Sequence, residues 1–438
     1  METAVYPDWS GLPEELVLMV MQALGIPDLL RAGAVCPSWR AAGANLRRAR
    51  FPIADSSPCL LYSAAADDPD TATVYNPSTG AAFKVRLPAP PFRSRHVVGS
   101  GHGWVITADE ESNLQVVNPL TGAQVDLPPA ATIHNVRPSY DNQGRPIYNL
   151  FGDHASPVGR REFRTMYYYR AYLSCSPSAG NACFVLLVHR EEGQISYARV
   201  GDGRWTHIRT ATVLPPGCGY YSAAYNDKDG LFYLLTCDHS VYTLDLSTAP
   251  AVSAVSAAAA IRKIAKGVKG MFDPIAEATT YAQWGDLVLT PWGDILLVWR
   301  DKECRQLDSP VQVPAGFEHE VTRPFHEMYT QDILLYKVGV NVNGRKKLVE
   351  IGGTDLRGHA LFLGFNASMC LSTKDFPLLK PSCAYLTDDS WESISLNMFG
   401  CRDVGTWNFE TQTLEEMKPV DAWLNWPQPI WITPSLLS

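Results

Sequence analysis

Apolar residues recur at helical spacing only in the first fifty positions. Leu16, Val17, Val20, Met21 and Leu24 make one apolar helix face. Pro13 suits the first turn, where a missing N–H costs nothing, and Glu14 and Glu15 sit near the positive end of the helix dipole. Gly25 ends this helix, Pro27-Asp28 opens a second with Leu29 and Leu30, and after Pro37-Ser38 a third carries Trp39, Ala42 and Leu46. Three helices in about forty residues bury little core of their own. Several of these apolar side chains therefore need a partner.

From about residue 55 the pattern changes to short apolar runs separated by Gly, Pro, Asn and Asp, which predict strands and tight turns. One unit repeats: the stretch Val74-Tyr75-Asn76-Pro77-Ser78-Thr79-Gly80-Ala81 returns 42 residues later as Val116-Val117-Asn118-Pro119-Leu120-Thr121-Gly122-Ala123. A hairpin repeat with a period near forty predicts the blades of a β-propeller. Gly101 to Ile106 reads as an inner strand. Further strands are predicted at Cys183–His189, Ser196–Val200, Arg204–Ile208, Leu231–Cys237, Ser240–Leu246, Leu287–Thr290, Asp294–Arg300, Asp332–Val338, Lys347–Ile351, Leu361–Gly364 and Gly405–Leu414, with an Asn343-Gly344 hairpin turn. The expectation is a mainly β chain, a three-helix module at 9–50 followed by a β-propeller of roughly six blades at 55–438, with five to eight blades open. Ring closure predicts that Cys59–Ser63, Gly405–Leu414 and Ile430–Thr433 come together in one closing blade or in neighbouring blades, with Trp423, Trp426 and Trp431 packed under the ring. Residues 130–162 read as a long inter-blade loop. The Ala-rich and then basic stretch 249–270, with Arg262, Lys263, Lys266 and Lys269, reads either as a solvated loop with an outer strand or short helix, or as a patch for an acidic partner.

The net charge of −8 argues against a general nucleic-acid binder. Only 19% of residues are charged and 11% are aromatic, which suits a folded β-rich body. The longest apolar runs are strand-length, too short for a bilayer. The start of the chain lacks the basic and apolar regions of a signal peptide. The ten cysteines have no CxxC pair, and their spacing predicts reduced, mostly buried thiols and no zinc site. Asn366-Ala367-Ser368 fits a glycosylation sequon, read as a coincidence.

The N-terminal segment resembles an F-box. The matching positions are Leu12, Pro13, Leu16, Val20, Leu24, Leu29, Val35, Cys36, Trp39 and Arg40. Pro37 stands where the family often has a basic residue. The resemblance implies that these ten residues bind a Skp-family adaptor and, through it, a cullin scaffold. The body resembles the KIB-type β-propeller of plant F-box proteins. The resemblance rests on Thr354 to Gly364, Leu371-Ser372, Asp375-Phe376-Pro377, Lys380 to Cys383, Tyr385 to Asp389 and Pro429 to Ser435, and upstream on Trp284-Gly285-Asp286, Pro291 to Asp294 and Val298-Trp299-Arg300. It implies a substrate receptor of a ubiquitin ligase, cytoplasmic and/or nuclear, whose target is a protein.

No catalytic constellation stands out. Gly99-Ser100-Gly101-His102-Gly103 lacks the third glycine of a dinucleotide loop and opens no helix. Neither GxxxxGK[ST] nor GxSxG occurs. His319-Glu320 and His326-Glu327 do not make HExxH. Asp388-Asp389 reads as a turn after a strand, with cation binding as the other reading. The expectation is a non-catalytic recruiter without metal or cofactor, membrane or nucleic-acid contacts. A stand-alone propeller scaffold and a small-ligand-binding or enzymatic propeller are the alternatives.

Overall fold

The computed structural model describes residues 8–48, 57–151, 156–190, 193–209, 213–215, 218–247, 260–267, 281–307, 325–340, 346–389, 394, 402–418 and 424–436. Helices α1 (Glu14–Gln22), α2 (Ile26–Ala32) and α3 (Pro37–Arg48) precede a succession of sheets. Pro13 caps α1, Gly25 caps α2 with Pro27 in its first turn, and Pro37 opens α3, so each proline sits where its missing N–H is harmless.

Seven sheets run through the described residues; six have four or five strands and one has three. In the first, Ile430–Ile432 lies innermost, followed by Cys59–Tyr62, Thr71–Tyr75 and Ala82–Arg86. The second to fifth sheets run outward in chain order from the inner strands His96–Gly101, Tyr168–Leu173, Tyr220–Asn226 and Tyr281–Leu289. The sixth runs Met369–Ser372, His359–Leu363, Cys383–Leu386, Gly405–Asn408 and Thr413–Glu416. Each inner strand packs on the next, from Ile430–Ile432 through to Met369–Ser372. The circuit returns through a bridge between Ser100 and Asn366 and a bond from the Thr433 hydroxyl to the Met369 sulfur at 3.2 Å. This is a β-propeller. Gly99 shows how closely neighbouring sheets approach: a Cβ there would lie 2.2 Å from the Ala171 carbonyl oxygen of the next inner strand.

The repeated Asn-Pro hairpin is realised as predicted. Asn76 and Asn118 each donate their backbone N–H to an alanine carbonyl five residues on at 2.8 Å, and their side-chain oxygens accept from Ser78 and Leu120 at 2.9 Å. Gly80 and Gly122 take the left-handed conformation at φ +70° and +72° that closes the turn. Two other expectations give way. Gly101 to Ile106 is not one strand: it spans the turn at His102 and Gly103, both at positive φ, between His96–Gly101 and Trp104–Ala108. Residues 130–162 are not a loop: they form the three-stranded sheet Val136–Tyr140, Pro146–Leu150 and Pro157–Gly159, and start α4 (Arg160–Tyr167). Their polar residues cluster in one tight turn, Asp141 to Arg145, where the Asp141 carboxylate accepts from the Gln143 and Arg145 amides at 2.8 Å. The Asn343-Gly344 turn and Trp423 lie outside the described residues. Among the described residues no helix is long and apolar enough to cross a membrane.

Closure uses the expected ends of the body. Cys59, Leu60 and Leu61 pair antiparallel with Ile432, Trp431 and Ile430. Trp431 is fully buried between the first and sixth sheets, edge-on to Phe362 at 5.1 Å. Trp426 stacks on His96 at 5.3 Å.

Asp388-Asp389 directly follows the strand Cys383–Leu386, as expected, but it is buried and its carboxylates face side-chain cations. It belongs to a buried ion network that joins the third, fifth and sixth sheets. Arg170 pairs with Asp286 at 2.5 Å and donates to the Asp389 carbonyl at 2.8 Å. Arg300 pairs with Asp389 and Asp403, each at 2.9 Å, Lys302 pairs with Asp389 at 2.5 Å, and Arg402 faces Asp388 at 3.6 Å. All eight side chains are essentially excluded from solvent. Four cations meet four carboxylates, so the charges balance. Burial pushes the Asp389 carboxyl up, but Arg300, Lys302 and Arg170 outweigh it and hold the group at about 2.

Two substitutions test this frame by urea unfolding. Asp389→Asn leaves buried cations unmatched and is expected to cost about 3–5 kcal/mol. Trp431→Ala empties the closure and is expected to cost a similar ~3–5 kcal/mol. A loss below about 1 kcal/mol in either would show that the network or the closing strand is dispensable.

Candidate functional site

The three helices fold around Val17, Met21, Ala32, Trp39, Ala42 and Leu46, with Leu12, Leu18, Leu24, Leu29 and Cys36 half-buried against them. Polar contacts tie the entry segment to α3: the Trp39 indole donates to the Trp9 carbonyl at 3.0 Å, and the Asn45 amide donates to Glu14 at 2.7 Å.

α1 is apolar on two faces. Val17 and Met21 point into the module. Leu16, Met19 and Val20, spaced i, i+3 and i+4, share the neighbouring, outward face and are 47%, 65% and 43% exposed. Val35 and Trp9 add to this exposed apolar set. Apolar side chains gathered on one small module, uncovered by its own chain, mark a protein-binding surface.

The ten residues expected at such a surface therefore divide. Pro13, Leu16, Val20, Val35 and Arg40 are exposed. Leu12, Leu24 and Cys36 line the module's core, and the Cys36 thiol lies 3.0 Å from the Ser38 hydroxyl. Trp39 is buried and holds the helices together. Leu29 touches two cores, its own module's and the body's. Met19 and Trp9 were missing from the expected set. Met19 was legible as the third member of the Leu16 and Val20 face, whereas the exposure of Trp9 depends on how the entry segment folds.

The module is fixed to the propeller through α2. Ile26 is buried with Leu120, Ile432 and Leu436 of the body, and Leu29 and Leu30 pack against the same cluster. Leu29, Leu30, Gly33, Ala34, Arg40, Gly43 and Leu436 line a cleft at this junction. α2 thus faces the body while α1 leaves its outer face free.

On the body, Tyr140 at 70% and Phe151 at 54% are prominent exposed aromatic residues, both on or beside the three-stranded sheet. The basic stretch is partly neutralised. Arg262 and Lys263 lie on the outer strand Ile261–Ala265, and Lys263 faces Asp238 at 3.8 Å, while Lys269 lies outside the described residues. The Asn366 side chain is buried and donates to the Phe362 and Ala367 carbonyls, so the sequon offers no glycan site. His319-Glu320 lies outside the described residues.

Comparison with known proteins agrees with this division. Residues 9–47 match the F-box-like family and residues 74–408 match the KIB1-4 beta-propeller family. Similar proteins of Arabidopsis thaliana include F-box protein At1g10110, 24% identical over 55% of this chain and 57% of that one. F-box only protein 7 is 24% identical over 55% of this chain and 58% of that one. F-box protein At5g25290 is 28% identical over 36% of this chain and 34% of that one. The matches span from about a third to under three fifths of these relatives' lengths. With three quarters of its length matching one family and its helical module another, the chain belongs to the KIB1-4 beta-propeller family and carries an F-box-like module ahead of the propeller.

Proposed function

We propose that this chain is the substrate receptor of a Skp–cullin–F-box ubiquitin ligase. The observation that carries the reading is the uncovered apolar face of Leu16, Met19 and Val20 on a module whose other side is packed on a propeller. The exposed face takes the Skp-family adaptor, which links to the cullin. The propeller holds a target protein. The chain itself supplies no chemistry: it raises the effective concentration of the target near the charged conjugating enzyme. The setting is cytoplasmic and/or nuclear.

The division of the ten residues makes the test specific. Leu16→Ala, Met19→Ala and Val20→Ala together remove contact area without touching the module's core, so adaptor affinity should fall at least a hundredfold, about 2.7 kcal/mol, while thermal unfolding is unchanged. Trp39→Ala should instead unfold the module, at a cost of about 3–5 kcal/mol. Undiminished adaptor binding by the triple variant, measured by calorimetry or pull-down, would overturn the reading.

The target surface is assigned to the three-stranded sheet, because exposed aromatic side chains there suit an interface anchor. Tyr140→Ala with Phe151→Ala should lose the target in proximity labelling in a plant cell while retaining the adaptor. Retention of every target by that variant would move the surface elsewhere on the propeller.

A further inference from the structure

Three histidines far apart in sequence converge at the outer part of the third sheet. His189 ends the strand Phe184–His189, and His207 sits on the edge strand Thr206–Ile208. His134 arrives from the segment between the turn Ala130–Thr132 and the strand Val136–Tyr140. One ring nitrogen from each lies within 4.8 Å of the others. His134 stacks on His207 at 3.6 Å between ring centres, and His189 stacks on Tyr167 at 5.1 Å. Strand pairing, not sequence spacing, makes the group: Ser196 pairs with His207, and the Ser196 hydroxyl lies 2.9 Å from His189 Nε2.

The rings are prepared as ligands. His189 Nδ1 faces the Arg190 carbonyl, so that nitrogen carries the proton and Nε2 keeps its lone pair. A backbone carbonyl behind a histidine is the usual outer support of a metal ligand. His207 Nδ1 is buried without a hydrogen-bond partner. Burial, with the neighbouring histidines, holds His189 at about 3 and His207 at about 4. Partial desolvation of its ring, with Arg137 and Arg209, also lowers His134. All three are neutral at neutral pH, the form that binds metal.

We propose that His134, His189 and His207 form a binding site for a single divalent first-row transition ion of the zinc type, with solvent as the fourth ligand. The chemistry of the donors selects the ion. Three imidazoles without a carboxylate in the group do not suit Mg²⁺ or Ca²⁺, and Arg137 and Arg209 nearby repel any ion held by field alone. Inner-sphere nitrogen bonds must therefore do the holding. Tetrahedral zinc, with bonds of about 2.0–2.1 Å, needs nitrogens about 3.4 Å apart. Binding would require exposed His134 to swing off its stack on His207 and the Ser196 hydroxyl to release His189 Nε2. The bound ion would clamp the segment ahead of the three-stranded sheet to the outer strands of the third.

The test uses the full-length chain, stripped with a chelator and titrated with Zn²⁺ alone. One equivalent should bind and raise the unfolding temperature, and Co²⁺ should give the intense visible absorption of a four-coordinate site. His134→Ala, at an exposed position, should keep the fold and metal-free unfolding temperature but weaken Zn²⁺ at least tenfold, and His207→Ala should do the same at a half-buried position. Absence of stoichiometric Zn²⁺ uptake by the wild-type chain, or equal affinity in His134→Ala, would overturn the site.

Discussion

The pairing of Ile430–Ile432 with Cys59–Tyr62 is the constraint on which the rest of the molecule depends. A propeller needs its first and last sheets to meet, because an unpaired inner strand leaves a row of exposed backbone donors and acceptors. Here the last strand of the chain supplies the innermost strand of the first sheet. The Ser100 hydroxyl then bonds the Trp431 carbonyl, and the Gln428 amide bonds the Val97 carbonyl at 2.7 Å, fastening the closing strand to the second sheet as well. Beyond the strand, the Ser435 carbonyl accepts from Asn118 at 3.0 Å and Leu436 enters the cluster that receives Ile26. The same short tail therefore closes the ring and seats the helical module.

That double use bears on function. The module is held by apolar packing of α2 on the body, so its free face on α1 keeps a fixed direction relative to the propeller. A recruiter gains most when the two things it joins are held at a set distance and angle, since effective concentration falls once the link is slack. The buried network around Arg300 and Asp389 serves the same end from within the ring. Buried ion pairs add little net stability over apolar packing. They do demand one arrangement of the third, fifth and sixth sheets, because any slippage strands a charge.

Legibility in the sequence followed the range of the interactions. The hairpins at Asn76 and Asn118 were readable because each is set by five adjacent residues. The same asparagine-led turn recurs at Asn226, where Gly230 bonds back to the Asn226 carbonyl at 2.9 Å, and at Asn408, where Gln412 does so at 2.8 Å. Those copies are less legible because Asp227 and Phe409 stand where the first two have proline, and Gln412 at φ +54° stands where the others have glycine. The module's helices were equally legible, but not which apolar residues face inward, since Leu16 and Val17 differ only in what packs on them. The three-stranded sheet was lost because its polar turn dominated a short window. The Asp388-Asp389 pair and the three histidines were invisible for a deeper reason: Arg170, Arg300 and Lys302 reach the aspartates from other sheets, and the histidines meet only through strand pairing within the third sheet and the segment that leads into the three-stranded one.

The closure claim is tested most directly by native-state hydrogen exchange. If the ring closes cooperatively through the tail, the amides of Ile430–Ile432 and Cys59–Tyr62 exchange only by global unfolding, with the same opening free energy as Leu186–Val188 in the third sheet. Exchange of the tail strand through a local opening well below the global value, with the third sheet still protected, would contradict the account.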